Sequence, residues 1–209
     1  MIKAIIVDFG NVIYKTKWGN LNKFFFDKNG FNILVGNSKD EELIRIYNDS
    51  DVGKEDFKKF FFRINPNISN INRIVKDYKE GYTKFKVVNT ELVNLLKDLK
   101  NKGIRLFGFT DIKKEHYDSN VESGMYDDFE KVFTSFEFGC LKSDKKAFDM
   151  LTNELKNLHL NPSECLFIDD NLENIGRAKE KNFQTIHYPD FPDINNLKEE
   201  LSKTFNLKI

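Results

Sequence analysis

Hydrophobic positions in this 209-residue chain follow two periods, and the change between them divides the sequence. Near the start, Ile2 through Val7 is a short apolar run rich in β-branched side chains, which predicts a strand buried on both faces of a parallel sheet. From residue 14 to about Thr83 the spacing becomes helical. Trp18–Asp27, Lys39–Asn48, Lys54–Arg63 and Ile71–Tyr82 each repeat apolar residues every three or four positions, which predicts four helices and no strand. Turn-rich breaks separate them at Asn29-Gly30, Val35-Gly36-Asn37-Ser38, Asp49-Ser50-Asp51-Val52-Gly53 and Asn65-Pro66-Asn67. Ser38 with Glu41 three residues later has capping-box spacing and predicts a helix start there. The triplets Phe24-Phe25-Phe26 and Phe60-Phe61-Phe62 are expected to pack between these helices.

After Asn89 helix and strand alternate. Thr90–Lys100 places Leu92, Leu95, Leu96 and Leu99 on one face, with Gly103 closing the helix, and Ile104–Phe109 follows as a strand. The alternation continues as helix His116–Ser123 ended by Gly124, strand Lys131–Thr134, helix Lys145–Leu158, strand Cys165–Ile168, helix Asn174–Lys181, strand Gln184–His187 and a tail helix Ile194–Phe205. Such a series implies a mainly parallel α/β sheet with helices on both faces. The expected organisation is a core of residues 1–13 plus 86–209 interrupted by a helical cap at 14–85.

Composition narrows the functional classes. Lys+Arg and Asp+Glu balance at 33 each, so net charge points neither to nucleic acid nor to an acidic membrane surface. Two cysteines, Cys140 and Cys165, are too few and too isolated for a disulfide framework or a zinc site, which suits a reducing cytoplasm. No segment approaches eighteen uninterrupted apolar residues and the N-terminal run has no signal-peptide layout, so no membrane association or export is expected.

The candidate chemistry sits at strand ends. Asp8 follows the first strand directly, in a bend containing Gly10 and Asn11; taken alone it fits a turn cap as well as a ligand site. Thr110-Asp111 ends the second core strand, Asp169-Asp170 the fourth, and Lys142 precedes the helix leading into the latter. In a parallel sheet these ends share one edge, so residues distant in sequence converge. Gathered carboxylates repel unless a cation offsets them, and a hard divalent ion such as Mg²⁺ takes oxygen ligands while leaving positions for water and phosphate. Thr110 and Lys142 are suited to hold the oxygens and charge of a phosphoryl group.

With those residues in that order, the chain resembles the haloacid dehalogenase-like hydrolase superfamily over essentially its whole length. Asp8-Phe9-Gly10-Asn11-Val12 is similar to the first motif, Phe107-Gly108-Phe109-Thr110 to the second, Lys142 to the third, and Phe167-Ile168-Asp169-Asp170-Asn171 with Asn174 to the fourth. The resemblance is strongest to helical-cap (subfamily I) sugar-phosphate phosphatases whose first motif reads Asp-hydrophobic-Gly-Asn-Val. It implies a Rossmann-like three-layer core, a helical-bundle cap, and a Mg²⁺-dependent phosphatase acting on a small phosphorylated metabolite through an aspartyl-phosphate. In that scheme Asp8 is nucleophile and metal ligand, and the Gly10 backbone carbonyl and Asp170 complete the protein's metal ligands. Thr110 and Lys142 hold the phosphoryl group, with Asp169, Asn174, Asn11 and Asp111 in support. Substrate contacts from the cap are expected at Trp18, Lys15 or Lys17.

Gly10 departs from most phosphatases and mutases of the superfamily, which carry Asp there as general acid and base. Such help is worth about 10²–10⁴ in rate. Its absence implies a substrate whose leaving group departs without much protonation, such as a sugar 1-phosphate or acyl phosphate, or a donor supplied by Lys15, Lys17 or His116, or a slow or inactive protein. The alternatives to a phosphatase are a 2-haloacid dehalogenase, against which the acidic pair Asp169-Asp170 argues, and a catalytically impaired phosphate-binding protein. His159 and His187 are expected at the surface or the core edge, and Cys140 is expected to pack, although Lys142 nearby could lower its thiol pKa.

Overall fold

A computed structural model describes residues 1–206 apart from Asn37 and Thr204. Five parallel strands form the central sheet: β1 (Ala4–Val7), β4 (Arg105–Thr110), β5 (Lys131–Thr134), β6 (Cys165–Asp169) and β7 (Gln184–His187), in the order β5-β4-β1-β6-β7. β1 is central because its residues are apolar on both sides, and all four are fully buried. Its period-two alternation sorts the core. Ile5 and Val7 join Leu106, Leu166 and Ile168 on the face covered by α5 (Thr90–Asn101) and α10 (Asn195–Lys203). Ala4 and Ile6 join Phe107, Phe109 and Phe167 on the face covered by α8 (Lys145–Asn157) and α9 (Leu172–Glu180). The result is the expected three-layer Rossmann-like α/β fold. Gly108 is required by close approach, since a Cβ there would lie 2.5 Å from the Phe9 ring.

Between β1 and β4 run α1 (Trp18–Asn29), α2 (Glu41–Asp51), α3 (Lys58–Ile64) and α4 (Ile71–Lys84). Their common core is aromatic: Phe25 stacks on Phe61 at 5.9 Å and Phe57 on Phe60 at 4.9 Å. The Phe triplets divide by helical geometry, with Phe25, Phe60 and Phe61 buried and Phe26 and Phe62 about 40% exposed (45% and 41%).

Two expectations are corrected. The stretch expected to lack strands contains β2 (Tyr14–Thr16), which pairs antiparallel with β3 (Lys86–Val88) to form the two-stranded ribbon leading to and from the helices. Three residues with an exposed Lys15 in the middle are too short to display a period. The second helix starts at Glu41: its N-cap is Asp40, whose Oδ1 accepts from Leu43 N at 3.1 Å while Arg63 grips the same carboxylate, and Ser38 Oγ accepts instead from Asp40 N. Asn37, in the break before it, and Thr204, in the expected tail helix, lie outside the described residues.

Candidate active site

The strand order places β1 between β4 and β6, with chain connections leaving in opposite directions, and a cleft opens at the carboxyl ends of these strands. Asp8 follows β1 and is 7% exposed; its amide N–H donates to Ile168 O at 2.9 Å, which ties the first bend to β6. Asn11 turns the chain with a φ of 57° and donates from Nδ2 to Asp170 Oδ2 at 3.1 Å. Thr110 ends β4, is 2% exposed and lines the cleft with Asp111, whose Oδ1 accepts from the Lys142 backbone N–H at 2.9 Å.

Lys142 organises the charges. Its ammonium lies 2.8 Å from Asp8 Oδ1 and 2.7 Å from Asp169 Oδ2. Asp169 is fully buried and satisfied on both oxygens by Lys142, the Asn171 N–H and the Asn174 amide. Asp170 is half-buried, and the Nε2 of His187 on β7 is hydrogen-bonded to its carbonyl at 2.9 Å. Carboxylate oxygens of Asp8, Asp169 and Asp170 all lie within 4.8 Å of one another.

Three carboxylates with one ammonium leave an excess of negative charge. Burial, with a contribution from Asp169, pushes Asp8 up to about 7 in spite of Lys142, and burial also raises Asp170. For Lys142, burial pushes the ammonium down, but Asp8, Asp169 and Asp111 outweigh it and hold the side chain well above the ordinary lysine value. A hard oxygen donor set with unbalanced negative charge fits a divalent cation such as Mg²⁺. Asp169 has both oxygens committed to neighbouring donors, whereas Asp8 takes Lys142 on Oδ1 and the half-buried Asp170 takes Asn11 on Oδ2.

The cleft, about 280 Å³, is closed on its far side by Trp18 of α1, Tyr47 and Asp51 of α2, Tyr82 of α4, and Lys113 and His116 after β4. Trp18 is therefore where a cap contact was expected. Lys15 and Lys17 are not brought to the cleft: both are exposed, and the Lys15 ammonium lies 4.9 Å from the Phe191 ring centroid. His116 lines the cleft but is a poor proton donor. Burial, aided by the nearby Lys113 and Lys86 cations, holds it well below the ordinary histidine value, and Nε2 is hydrogen-bonded to Tyr78 Oη at 2.7 Å. His159 is exposed. Neither thiol is activated by its surroundings: burial raises Cys140, contrary to the lowering that Lys142 nearby suggested, and pushes Cys165 up to about 12.

The sequence profile of the haloacid dehalogenase-like hydrolase family matches residues 2–180. The chain belongs to that family. Solved structures similar to it agree in fold. A family enzyme from Bacteroides thetaiotaomicron, crystallised with magnesium and inorganic phosphate, is 20% identical with a TM-score of 0.74, covering 94% of this chain and 99% of that one. A predicted hydrolase of the family from Porphyromonas gingivalis is also 20% identical, with a TM-score of 0.72 and coverage of 97% and 98%. Among curated proteins, a drimenol cyclase from Aspergillus calidoustus is 30% identical over 107 residues, 50% of this chain. The chain spans about a fifth (19%) of that relative's length. Among the described residues no helix is long and apolar enough to cross a membrane.

Of the cleft's far wall, sequence reasoning singled out only Trp18 and His116. Tyr47 and Tyr82 lie in stretches read only as packing helices, Asp51 lies in a stretch read as a turn-rich break that the structure makes the end of α2, and Lys113 carries no motif. The one available hint was Lys113, a lysine three residues beyond Thr110.

Proposed function

We propose that this hydrolase is a Mg²⁺-dependent phosphatase for a small phosphorylated metabolite, most closely related to helical-cap phosphatases with an Asp-x-Gly-Asn-Val first motif, and that it works in the cytoplasm through an aspartyl-phosphate on Asp8. The observation that carries this reading is the Lys142 ammonium bridging Asp8 and Asp169 at 2.8 and 2.7 Å beside the half-buried Asp170. Asp8, the Gly10 carbonyl and Asp170 would hold the magnesium ion, which supplies neutralisation of the phosphoryl charge. The Asp8 carboxylate attacks phosphorus as the bond to the leaving oxygen breaks, and water then displaces phosphate from the acyl linkage and restores Asp8. Lys142 and the Thr110 hydroxyl hold the transferring oxygens, with Asp169 and Asn174 fixing the lysine. Asn11 and Asp111 orient Asp170 and the Lys142 backbone. In this reading residues 14–85 are a cap joined to the core by β2 and β3, with Trp18 facing the substrate.

Gly10 points to the substrate class. A Cβ at this position would meet nothing within 4 Å, so space for an acid exists and the sequence leaves it unused. A substrate whose leaving oxygen needs little protonation, a sugar 1-phosphate or an acyl phosphate, fits that choice. The test is phosphate release from sugar 1-phosphates, sugar 6-phosphates, nucleoside monophosphates and acyl phosphates, with Mg²⁺ and with EDTA. Anomeric and acyl phosphates should lead and EDTA should abolish turnover. A preference for simple alkyl phosphates would contradict the argument from Gly10, and metal-free halide release from a 2-haloacid would replace phosphate chemistry altogether.

A further inference from the structure

The far wall of the cleft carries a second ion pair, remote from the motifs. The Lys113 ammonium lies 2.6 Å from Oδ1 of Asp51, the last residue of α2. Lys113 is 1% exposed, with its nitrogen 3.8 Å from the Tyr47 ring centroid and 5.2 Å from that of Phe57. Asp51 is fixed through its backbone as well. Its carbonyl accepts from Ser135 Oγ, which in turn accepts from the Ile112 N–H at 2.9 Å. Two residues on, Gly53 turns with a φ of +69° against the Phe136 carbonyl, where a Cβ would come within 2.6 Å.

One oxygen of Asp51 is thus committed to a buried cation, and among the described residues the other, Oδ2, takes no hydrogen bond. The side chain is 25% exposed and lines the cleft that contains Gly10 and Thr110. A carboxylate held rigidly in a phosphate-binding cleft repels the phosphoryl group and needs a donor from another part of the substrate, either a hydroxyl or an ammonium. Two of the aromatic faces at this wall are already occupied: Lys113 covers Tyr47, and Lys86 lies 4.1 Å over Tyr82 while His116 stacks on that ring at 3.9 Å. A second cation would meet the Lys113 ammonium already paired with Asp51 and find neither Tyr47 nor Tyr82 free. Trp18, 41% exposed, offers a rigid flat surface to an uncharged body.

We propose that Asp51 selects the substrate by accepting a hydrogen bond from a hydroxyl of an uncharged polyol body, such as the ring of a sugar phosphate, and that Lys113 is the positioning residue that aims it. The proposal rests on the phosphatase reading only for where the phosphoryl group sits. A pre-aimed acceptor loses little freedom on binding, which is the advantage of holding Asp51 by side chain and backbone together.

The experiment is calorimetric titration, with Mg²⁺ present, of a hexose 1-C-methylphosphonate and of methylphosphonate, neither of which can be turned over. Wild type should bind the hexosyl compound more tightly. Asp51→Asn should weaken it about 10–100-fold, the range for a hydrogen bond to a charged group, and shift methylphosphonate by less than about threefold. One deoxy-hexosyl analogue should lose as much with wild type and nothing further with Asp51→Asn. If Asp51→Asn does not fold with Lys113 left unpaired, Asp51→Asn/Lys113→Met removes both charges and carries the same comparison. An equal loss for both phosphonates, no loss for either, or no hexosyl preference in wild type overturns the proposal. Hexosyl selectivity that Asp51→Asn loses, in a wild type that releases phosphate from none of the sugar phosphates, nucleoside monophosphates or acyl phosphates above, would leave the proposal standing and sink the phosphatase reading.

Discussion

At the sheet's rim each charged group has a short, specific partner: Lys142 joins Asp8 and Asp169, Asn174 donates to Asp169, and Asn11 donates to Asp170. The wall opposite, from α1, α2 and α4, is mostly aromatic rings, with one ion pair between Asp51 and Lys113. The rim follows from topology, because parallel strands deliver their carboxyl ends to one edge whatever lies between them. The opposite wall follows from packing, because which residue of a helix meets the cleft depends on how four helices settle around Phe25, Phe57, Phe60 and Phe61. The chemistry is therefore fixed by elements the fold cannot rearrange. On the proposed reading, selectivity is carried by elements that can vary without disturbing it.

Substitutions can break this contrast, and the largest effect belongs to the rim. Lys142→Met leaves two buried carboxylates without their cation and should cost about 3–5 kcal/mol in denaturant unfolding with EDTA present, together with a loss of at least about 10²-fold in phosphate release. An unchanged unfolding midpoint would mean that the network is not what holds the rim. Gly10→Asp should sharpen the contrast by adding an acid where space exists: kcat/KM on an alkyl phosphate should rise by about 10² or more, with far less change for acetyl phosphate. Equal gains on both substrates would contradict the leaving-group argument.

Just beyond α2, where it meets the core at Phe136, Gly53→Ala forces a left-handed residue into the Phe136 carbonyl and should cost about 1–3 kcal/mol, read as a lowered thermal midpoint. The smallest effect is a pH dependence under the helices. His116 is neutral and buried in the folded protein, with its pKa depressed, so below about 6.5 the unfolded chain binds a proton that the folded chain refuses. Stability should fall as pH drops from 7, by up to about 2 kcal/mol at pH 5 from this group. His116→Gln should remove that component, visible as a flatter stability profile than wild type's between pH 7 and 5.

How much of this was legible in the sequence follows the same division. The strands Lys131–Thr134 and Gln184–His187 appear at the predicted residues, and β1 is buried on both faces as its composition demanded. Asp8, Thr110, Asp169 and Asp170 converge because β1 lies between β4 and β6 and parallel strands end at one edge, and Lys142, in the loop before α8, reaches Asp8 and Asp169 from there. Strand β2 was missed because three residues carry no period, and the capping site moved to Asp40 because Arg63, twenty-three residues away, stabilises that carboxylate. Lys15 and Lys17 were candidates for a substrate contact or a proton donor only by closeness in sequence to Asp8. The β2–β3 ribbon carries Lys15 away from the cleft, and Asp51 and Lys113, unmarked by any motif, reach it through helix packing.

The most direct test of the central claim is rapid-quench labelling with a ³²P-labelled hexose 1-phosphate and Mg²⁺. Acid-stable, hydroxylamine-labile label should appear on the peptide containing Asp8 before free phosphate accumulates, and should be absent from Asp8→Asn. Phosphate release with no label on that peptide, or undiminished turnover by Asp8→Asn, would contradict it.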